Sequence, residues 1–166
     1  MYMSNESQDD LGLATRCLHV GQGPDPDTGA AVSPIHQTTS YEFPDAETAA
    51  DRYALEDDGD VYSRISNPTV AALEERLASL EGGTAALATA SGMASLDAAT
   101  LVLAEAGDNV VSASSIYGGT HAYLTHTASR RGLEARFVDT LDPSAYAEAI
   151  DENTASRPRR LAVWVR

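Results

Sequence analysis

Residues 84–95 read Thr-Ala-Ala-Leu-Ala-Thr-Ala-Ser-Gly-Met-Ala-Ser, a small apolar run that passes through Ser91-Gly92 into a stretch with helical spacing. A short apolar run bounded in this way has the character of a buried strand, and Ser91 is a residue type that caps helices well. A strand feeding straight into a helix is the repeating step of a parallel sheet with crossover helices. Outward from this stretch the alternation continues. Asn109 to Ala113, residues 134–138 and Leu161 to Val165 read as further strands. Helices are expected from about Gly92 to Glu105, from about Gly119 to Arg131, and from Asp142-Pro143. Upstream, Asn67 is a good N-cap and Pro68 suits a first turn, while Val70, Leu73, Leu77 and Leu80 share one face before Gly82-Gly83 stop the helix. DAETAADRYALEDDG predicts a shorter helix, capped by Asp45 and ended by Gly59.

These elements predict an α/β fold with a mainly parallel sheet and crossover helices, occupying residues 45–166. Residues 1–44 contain GQGPDPDTG and SPIHQTTSYEFP, dense in proline, glycine and turn-forming polar residues, and predict an extended arm with few contacts to its own core. The run ending at Arg166 should be a buried strand, which a following helix normally covers. The expectation is therefore an incomplete domain.

The chain has 166 residues with 25 acids and 11 bases, a formal net charge of −14. That charge repels nucleic acid and anionic lipid, and no apolar run approaches the roughly 18 to 20 residues of a membrane-spanning helix. A soluble, cytoplasmic protein is expected. All eleven bases are arginine, because the sequence contains no lysine. Residues 1–60 alone hold thirteen acids and two arginines, a balance that suits a salt-adapted, acidic proteome or GC-rich codons. Cys17, the single cysteine, reads as a small apolar residue. His19, His36, His121 and His126 lack zinc-site spacing, so no metal is expected. Neither a dinucleotide fingerprint, a P-loop nor a nucleophile elbow occurs.

Three stretches offer chemistry. At Ser91-Gly92-Met93 a strand-to-helix junction would aim free N–H groups and the positive end of a helix dipole at one point, suiting a phosphate; capping alone explains the same residues. In DVYSRISNPT, Tyr62 and Arg64 lie two apart, and an extended backbone would point a phenol and a guanidinium the same way. A surface arginine offsetting Asp57, Asp58 and Asp60 is the plainer alternative. In SSIYGGTHAY, Tyr117 falls after a strand, where ligands of parallel sheets bind, and could lie against a planar cofactor or be an ordinary core tyrosine. The carboxyl ends of the strands at 84–90 and 109–113 are expected to put Ser91 and Tyr117 on one edge of the sheet.

Together with TRCLHVGQGPDPDTGAAVSPIHQTTSYEF, YSRISNPT, LEGGTAALATASGMAS and AGDNVVSASSIYGGT, in that order, these features resemble the Cys/Met metabolism family of pyridoxal-phosphate enzymes. Cystathionine γ-synthase, cystathionine γ-lyase and O-acetylhomoserine sulfhydrylase are members. The resemblance runs from about Thr15 to the end, and QTTSYEF, DAETAADRYAL and the isoleucine of YSRISNPT look most like the O-acetylhomoserine sulfhydrylase branch.

The resemblance implies part of the large domain of a fold-type I, aspartate aminotransferase-like enzyme with pyridoxal 5'-phosphate as cofactor. Backbone groups at Gly92 and Met93, beside Ser91, would hold its phosphate. Tyr117 would stack on its ring and assist proton transfer. Tyr62 and Arg64 would grip the phosphate of a neighbouring subunit's cofactor, implying a homo-oligomer, typically a tetramer, with shared active sites and an amino-acid substrate. The implied reaction is γ-replacement on O-acetyl-homoserine, giving homocysteine or methionine; a cystathionine γ-synthase or γ-lyase and a non-catalytic fragment are the alternatives. Two departures bear on this. His36 stands where the sulfhydrylases often have tyrosine, and Arg166 where the family continues with glutamate. The aspartate that pairs with the pyridine nitrogen and the lysine that anchors the cofactor lie beyond this terminus, so the chain is expected to be inactive alone.

Overall fold

The computed structural model describes residues 11–155. They fall into two compact units divided between Ala88 and Thr89.

In the first unit, helix α1 (Leu13–His19) interrupts the stretch expected to be an extended arm. It packs against α3 (Pro68–Glu81), and the arm makes more contacts with its own unit than expected. Arg16 Nε donates to Ser79 Oγ at 3.1 Å and Arg76 Nε to the Val20 carbonyl at 2.8 Å. Gly21, at φ +76, lies so near the Ala72 carbonyl that a Cβ there would collide with it. No apolar period marks α1, because its neighbour α3 rather than its own sequence holds it. Cys17 is exposed on it, not packed as a small apolar residue would be.

Helix α2 (Ala46–Ala54) starts as expected, with the Asp45 carboxylate accepting from Thr48 N–H at 2.8 Å. It ends before Gly59, at Leu55 in the left-handed region, because Glu56 N–H turns back to the Asp51 carbonyl at 2.8 Å and Arg52 ion-pairs with Asp57 at 3.0 Å. Helix α3 has the expected limits: Asn67 caps it, Pro68 opens it and Gly82 closes it at φ +65. Its apolar face is not covered; Val70, Leu73 and Leu77 remain 40%, 50% and 42% exposed.

The strand expected at 84–90 does not form. This segment is irregular, and its Ala88 N–H goes to the Glu74 carboxylate at 2.7 Å. A strand needs a ladder partner, and among the described residues none lies alongside it.

The second unit carries the sheet. Helix α4 (Gly92–Leu103) leads to β1 (Asn109–Ala113), which pairs in parallel with β2 (Glu134–Val138) from Asn109–Glu134 to Ala113–Val138. The connection is one helical run with three geometries: α5 (Gly118–Ala122), a π-helical stretch Tyr123–Ala128 and a 3-10 turn Ser129–Arg131 closed by Gly132 at φ +85. The expected single helix is thus widened in its middle, which turns Tyr123, Leu124 and Ala128 together into the core with Leu133. Met93, Leu96, Val110, Ile116 and Phe137 pack around them. Helix α6 (Pro143–Ala149), capped by Asp142, brings the chain back to the free side of β1, where Thr154 bridges Asn109 in parallel. The strand expected at Leu161 to Val165 lies outside the described residues. No helix among the described residues is long and apolar enough to cross a membrane.

Asn109, 1% exposed, joins these pieces. Its amide donates to Asp151 Oδ1 at 2.8 Å and accepts from Thr154 Oγ1 at 2.8 Å, while Arg136 Nη1 reaches Asp151 Oδ2 at 2.6 Å. The hydrogen bond from Arg136, followed by that from Asn109, holds the Asp151 carboxyl at about 2, below its ordinary 3.8. A depressed folded value means that the ionised form stabilises the fold above the unfolded value of about 4, and that this contribution is lost as pH falls through the folded value. Acid unfolding of the wild type should therefore show a loss of stability between about pH 4 and about pH 2, and Asp151→Asn should flatten that segment. Identical acid profiles for the two would count against this network.

Candidate cofactor site

In the second unit, Ser91 Oγ accepts from Ala94 N–H at 3.1 Å and the Ser91 carbonyl accepts from Ser95 N–H at 3.1 Å. These bonds fix the first turn of α4 but leave the N–H groups of Gly92 and Met93, which have no acceptor within a helix. Thr89 Oγ1 lies 2.6 Å from Ser95 Oγ and donates to the Ser91 carbonyl at 2.9 Å, so two hydroxyls meet on that carbonyl. Gly92 is exposed. A helix of 12 residues beginning this way presents two directed donors and the positive end of its dipole to an anion.

Tyr117 is the N-cap of α5 in the same unit, 69% exposed, and its carbonyl accepts from His121 N–H at 3.0 Å. Met93 joins the two helix starts, its sulfur lying 4.0 Å from Thr120 Oγ1. A clamp the sequence did not reveal reinforces this junction. Tyr123 OH donates to Asp97 Oδ1 at 2.8 Å, and Arg131 ion-pairs with the same carboxylate. Arg131, then Tyr123, hold the Asp97 carboxyl below its usual range; burial, then Asp97, push the Tyr123 phenol up. Asp97 and Arg131 are 34 residues apart, and no local pattern relates them.

In the first unit, Tyr62 and Arg64 come together by a route other than the one expected. Tyr62 bridges Ser40 in antiparallel fashion, but Ile65 N–H and Ser66 N–H both return to the Tyr62 carbonyl, at 2.7 and 3.0 Å. A turn rather than strand alternation therefore places the Arg64 guanidinium 5.2 Å from the Tyr62 ring centroid. Arg64 is exposed, as the surface-arginine alternative also has it, and of the three acids named in that alternative Asp57 is paired with Arg52.

Asn67, 7% exposed, braces this turn. Its Oδ1 accepts from Thr69 N–H at 2.9 Å, and its two amide hydrogens are shared among the His36 carbonyl at 3.0 Å, Ser63 Oγ at 3.1 Å and Tyr41 OH at 3.2 Å. Sequence reasoning assigned Asn67 a cap and nothing more. Its other partners lie up to 31 residues away.

The sequence profile of a family described as Cys/Met metabolism PLP-dependent enzyme matches residues 14–156. The chain belongs to that family. It is 46% identical over 151 residues to the O-acetyl-L-homoserine sulfhydrylase of Corynebacterium glutamicum, covering 90% of this chain and 35% of that protein. It is 49% identical over 145 residues to O-acetyl-L-homoserine sulfhydrylase 1 of Thermus thermophilus, covering 87% of this chain and 34% of that protein. The crystal structure of a Campylobacter jejuni O-acetylhomoserine (thiol)-lyase, with an N'-pyridoxyl-lysine-5'-monophosphate, superimposes with a TM-score of 0.78 at 40% identity, over 87% of this chain and 36% of that one. The fold is that of part of the large domain of a pyridoxal-phosphate enzyme of fold type I, and the chain spans about a third of the length of the curated relatives it matches. In the second unit, the N–H groups of Gly92 and Met93 that the α4 start leaves without a helical acceptor, and the exposed phenol on a helix that meets α4 through Thr120 and Met93, are donor types that fit a phosphorylated planar cofactor.

Proposed function

We propose that this chain supplies the N-terminal, phosphate-holding part of an O-acetylhomoserine sulfhydrylase-like transferase. In this reading residues 1–44 are the arm and the large domain begins at residue 45. The observation that carries it is the Ser91-capped start of α4, which leaves the N–H groups of Gly92 and Met93 without a helical acceptor, with the helix of Tyr117 meeting it through Met93 and Thr120. When bound, pyridoxal 5'-phosphate withdraws electrons from the amino-acid substrate, which allows acetate to leave from the γ-carbon and sulfide to replace it. Gly92 and Met93 bind the phosphate, Ser91 shapes the turn that presents them, and Tyr117 lies against the ring with its phenol positioned to carry a proton. Tyr62 and Arg64 serve the phosphate of a second subunit, which makes the enzyme a homo-oligomer, a tetramer, in the cytoplasm.

The test uses an enzyme assembled from this segment and a lysine-bearing C-terminal portion. Homocysteine should form from O-acetyl-homoserine and sulfide, and exclusive use of cysteine as the thiol would reject the assignment in favour of a cystathionine γ-synthase. Arg64→Ala in that enzyme should weaken cofactor binding roughly 10- to 100-fold, the range for losing a hydrogen bond to a charged group. Arg64→Ala binding the cofactor as tightly as wild type would remove Arg64 from the site.

A further inference from the structure

We propose that Gly119 is a positioning residue that sets the direction of the Tyr117 ring. The proposal rests on the reading of Tyr117 as the group that lies against the cofactor. Tyr117 has a fixed backbone and a free side chain: its carbonyl is bonded to His121 N–H at 3.0 Å, yet the residue is 69% exposed. An exposed ring with no packed neighbours would sample its rotamers, which is a poor support for a planar ligand. Gly119 supplies a surface for it. A Cβ built on Gly119 would meet Tyr117 Cζ at 3.1 Å and Cδ1 at 3.2 Å, and Cε1 closer still. The edge of the ring therefore rests on the bare Cα of Gly119, in space that any side chain would take.

The neighbouring glycine shows that this is not a backbone requirement. Gly118 has nothing within 4 Å of its would-be Cβ. Neither glycine has positive φ; both lie within α5, where alanine is the better helix former. Helix geometry gives no reason for glycine at 119, and the ring does. The seat is itself anchored, because the adjacent Thr120 meets Met93 in the first turn of α4. The ring is thus aligned relative to the N–H groups of Gly92 and Met93 rather than to solvent.

The test compares Gly119→Ala with Gly118→Ala in the full chain. The first readout needs no ligand. It is the ring-current shift at the residue-119 Hα, taken in each variant as the difference from the same variant carrying Tyr117→Ala. The shift should be present in wild type and Gly118→Ala and largely lost in Gly119→Ala, while both variants keep the wild-type melting temperature or exceed it. The second readout is the affinity for added pyridoxal 5'-phosphate. Gly119→Ala should weaken it roughly 3- to 10-fold, the scale of an aromatic contact, and should have no further effect when Tyr117 is already alanine. A ring that keeps its shift in Gly119→Ala overturns the seat. An equal loss of affinity in the Tyr117→Ala background overturns positioning, because the new methyl would then be acting on the ligand directly. A lost shift with affinity unchanged in both Gly119→Ala and Tyr117→Ala overturns the reading of Tyr117 as the cofactor-facing group, and with it the role of the seat.

Discussion

Replacing Asn67 with alanine is expected to destabilise the first unit by roughly 1–2 kcal/mol, about 1 from the lost helix cap and the rest from the lost hydrogen bonds to its half-buried and exposed partners. The side chain is 7% exposed and contacts four groups: Thr69 N–H, the His36 carbonyl, Ser63 Oγ and Tyr41 OH. Ser63 Oγ in turn donates to the Thr38 carbonyl. One residue therefore ties the arm, the Tyr62–Arg64 turn and the start of α3. Asn67→Asp separates these roles. A carboxylate caps a helix as well as an amide does, and the Tyr41 hydroxyl can rotate to donate to it, whereas Ser63 Oγ could do so only by giving up the Thr38 carbonyl. The His36 carbonyl has no proton to offer and would face a negative charge. Hydrogen exchange should reveal the difference. In Asn67→Asp the amides of Tyr41 and Ser63, which bond to the Val61 and Thr39 carbonyls, should exchange faster while those of α3 keep their protection; in Asn67→Ala both sets should speed up. Wild-type protection throughout Asn67→Asp would show that the amide donors brace nothing.

How much of this was legible in the sequence follows the range of the interactions. Asn67-Pro68 and Gly82 mark α3 because caps act within one turn, and Ser91-Gly92 marks α4 for the same reason. Strands β1 and β2 were expected where they occur, since β1 is a short, largely apolar run and β2 alternates charged and apolar residues, each between turn residues. The run at 84–90 has the appearance of β1 and is not a strand, because pairing depends on a neighbour that local sequence does not specify. The π-helical widening at Tyr123 is likewise set by what the core must receive, not by the period of the run itself. Among the candidate site residues, Gly92, Met93 and Tyr117 could be placed because junctions between elements fix them. Tyr62 and Arg64 were paired for a reason the turn does not support, and what brings the guanidinium over the ring is the turn itself. Asn67 and Asp97 act through partners about 30 residues distant, and a single sequence without any measure of co-variation gives no sign of them.

Borohydride treatment of this chain mixed with pyridoxal 5'-phosphate is expected to leave every side chain unlabelled. Stable capture of the cofactor aldehyde requires a primary amine, and the only side chain that carries one is lysine, which the sequence lacks at all 166 positions. Its eleven bases are arginines, whose guanidinium stays protonated and delocalised at any pH the fold withstands. The α-amino group at Met1 is the one remaining amine, so intact-mass analysis should find at most one adduct per chain, and peptide mapping should place it at Met1. The residues described above contribute through hydrogen bonds and stacking alone, which makes their ligand reversible: dilution or dialysis before reduction should remove the cofactor, whereas an enzyme with an anchoring lysine retains it. Held through its phosphate and by stacking, with no covalent anchor, the cofactor should compete with inorganic phosphate, and the unphosphorylated pyridoxal should bind more weakly. Label on any internal residue would overturn the purely non-covalent account, and binding indifferent to the phosphate group would overturn the assignment of Gly92 and Met93 as the groups that hold it.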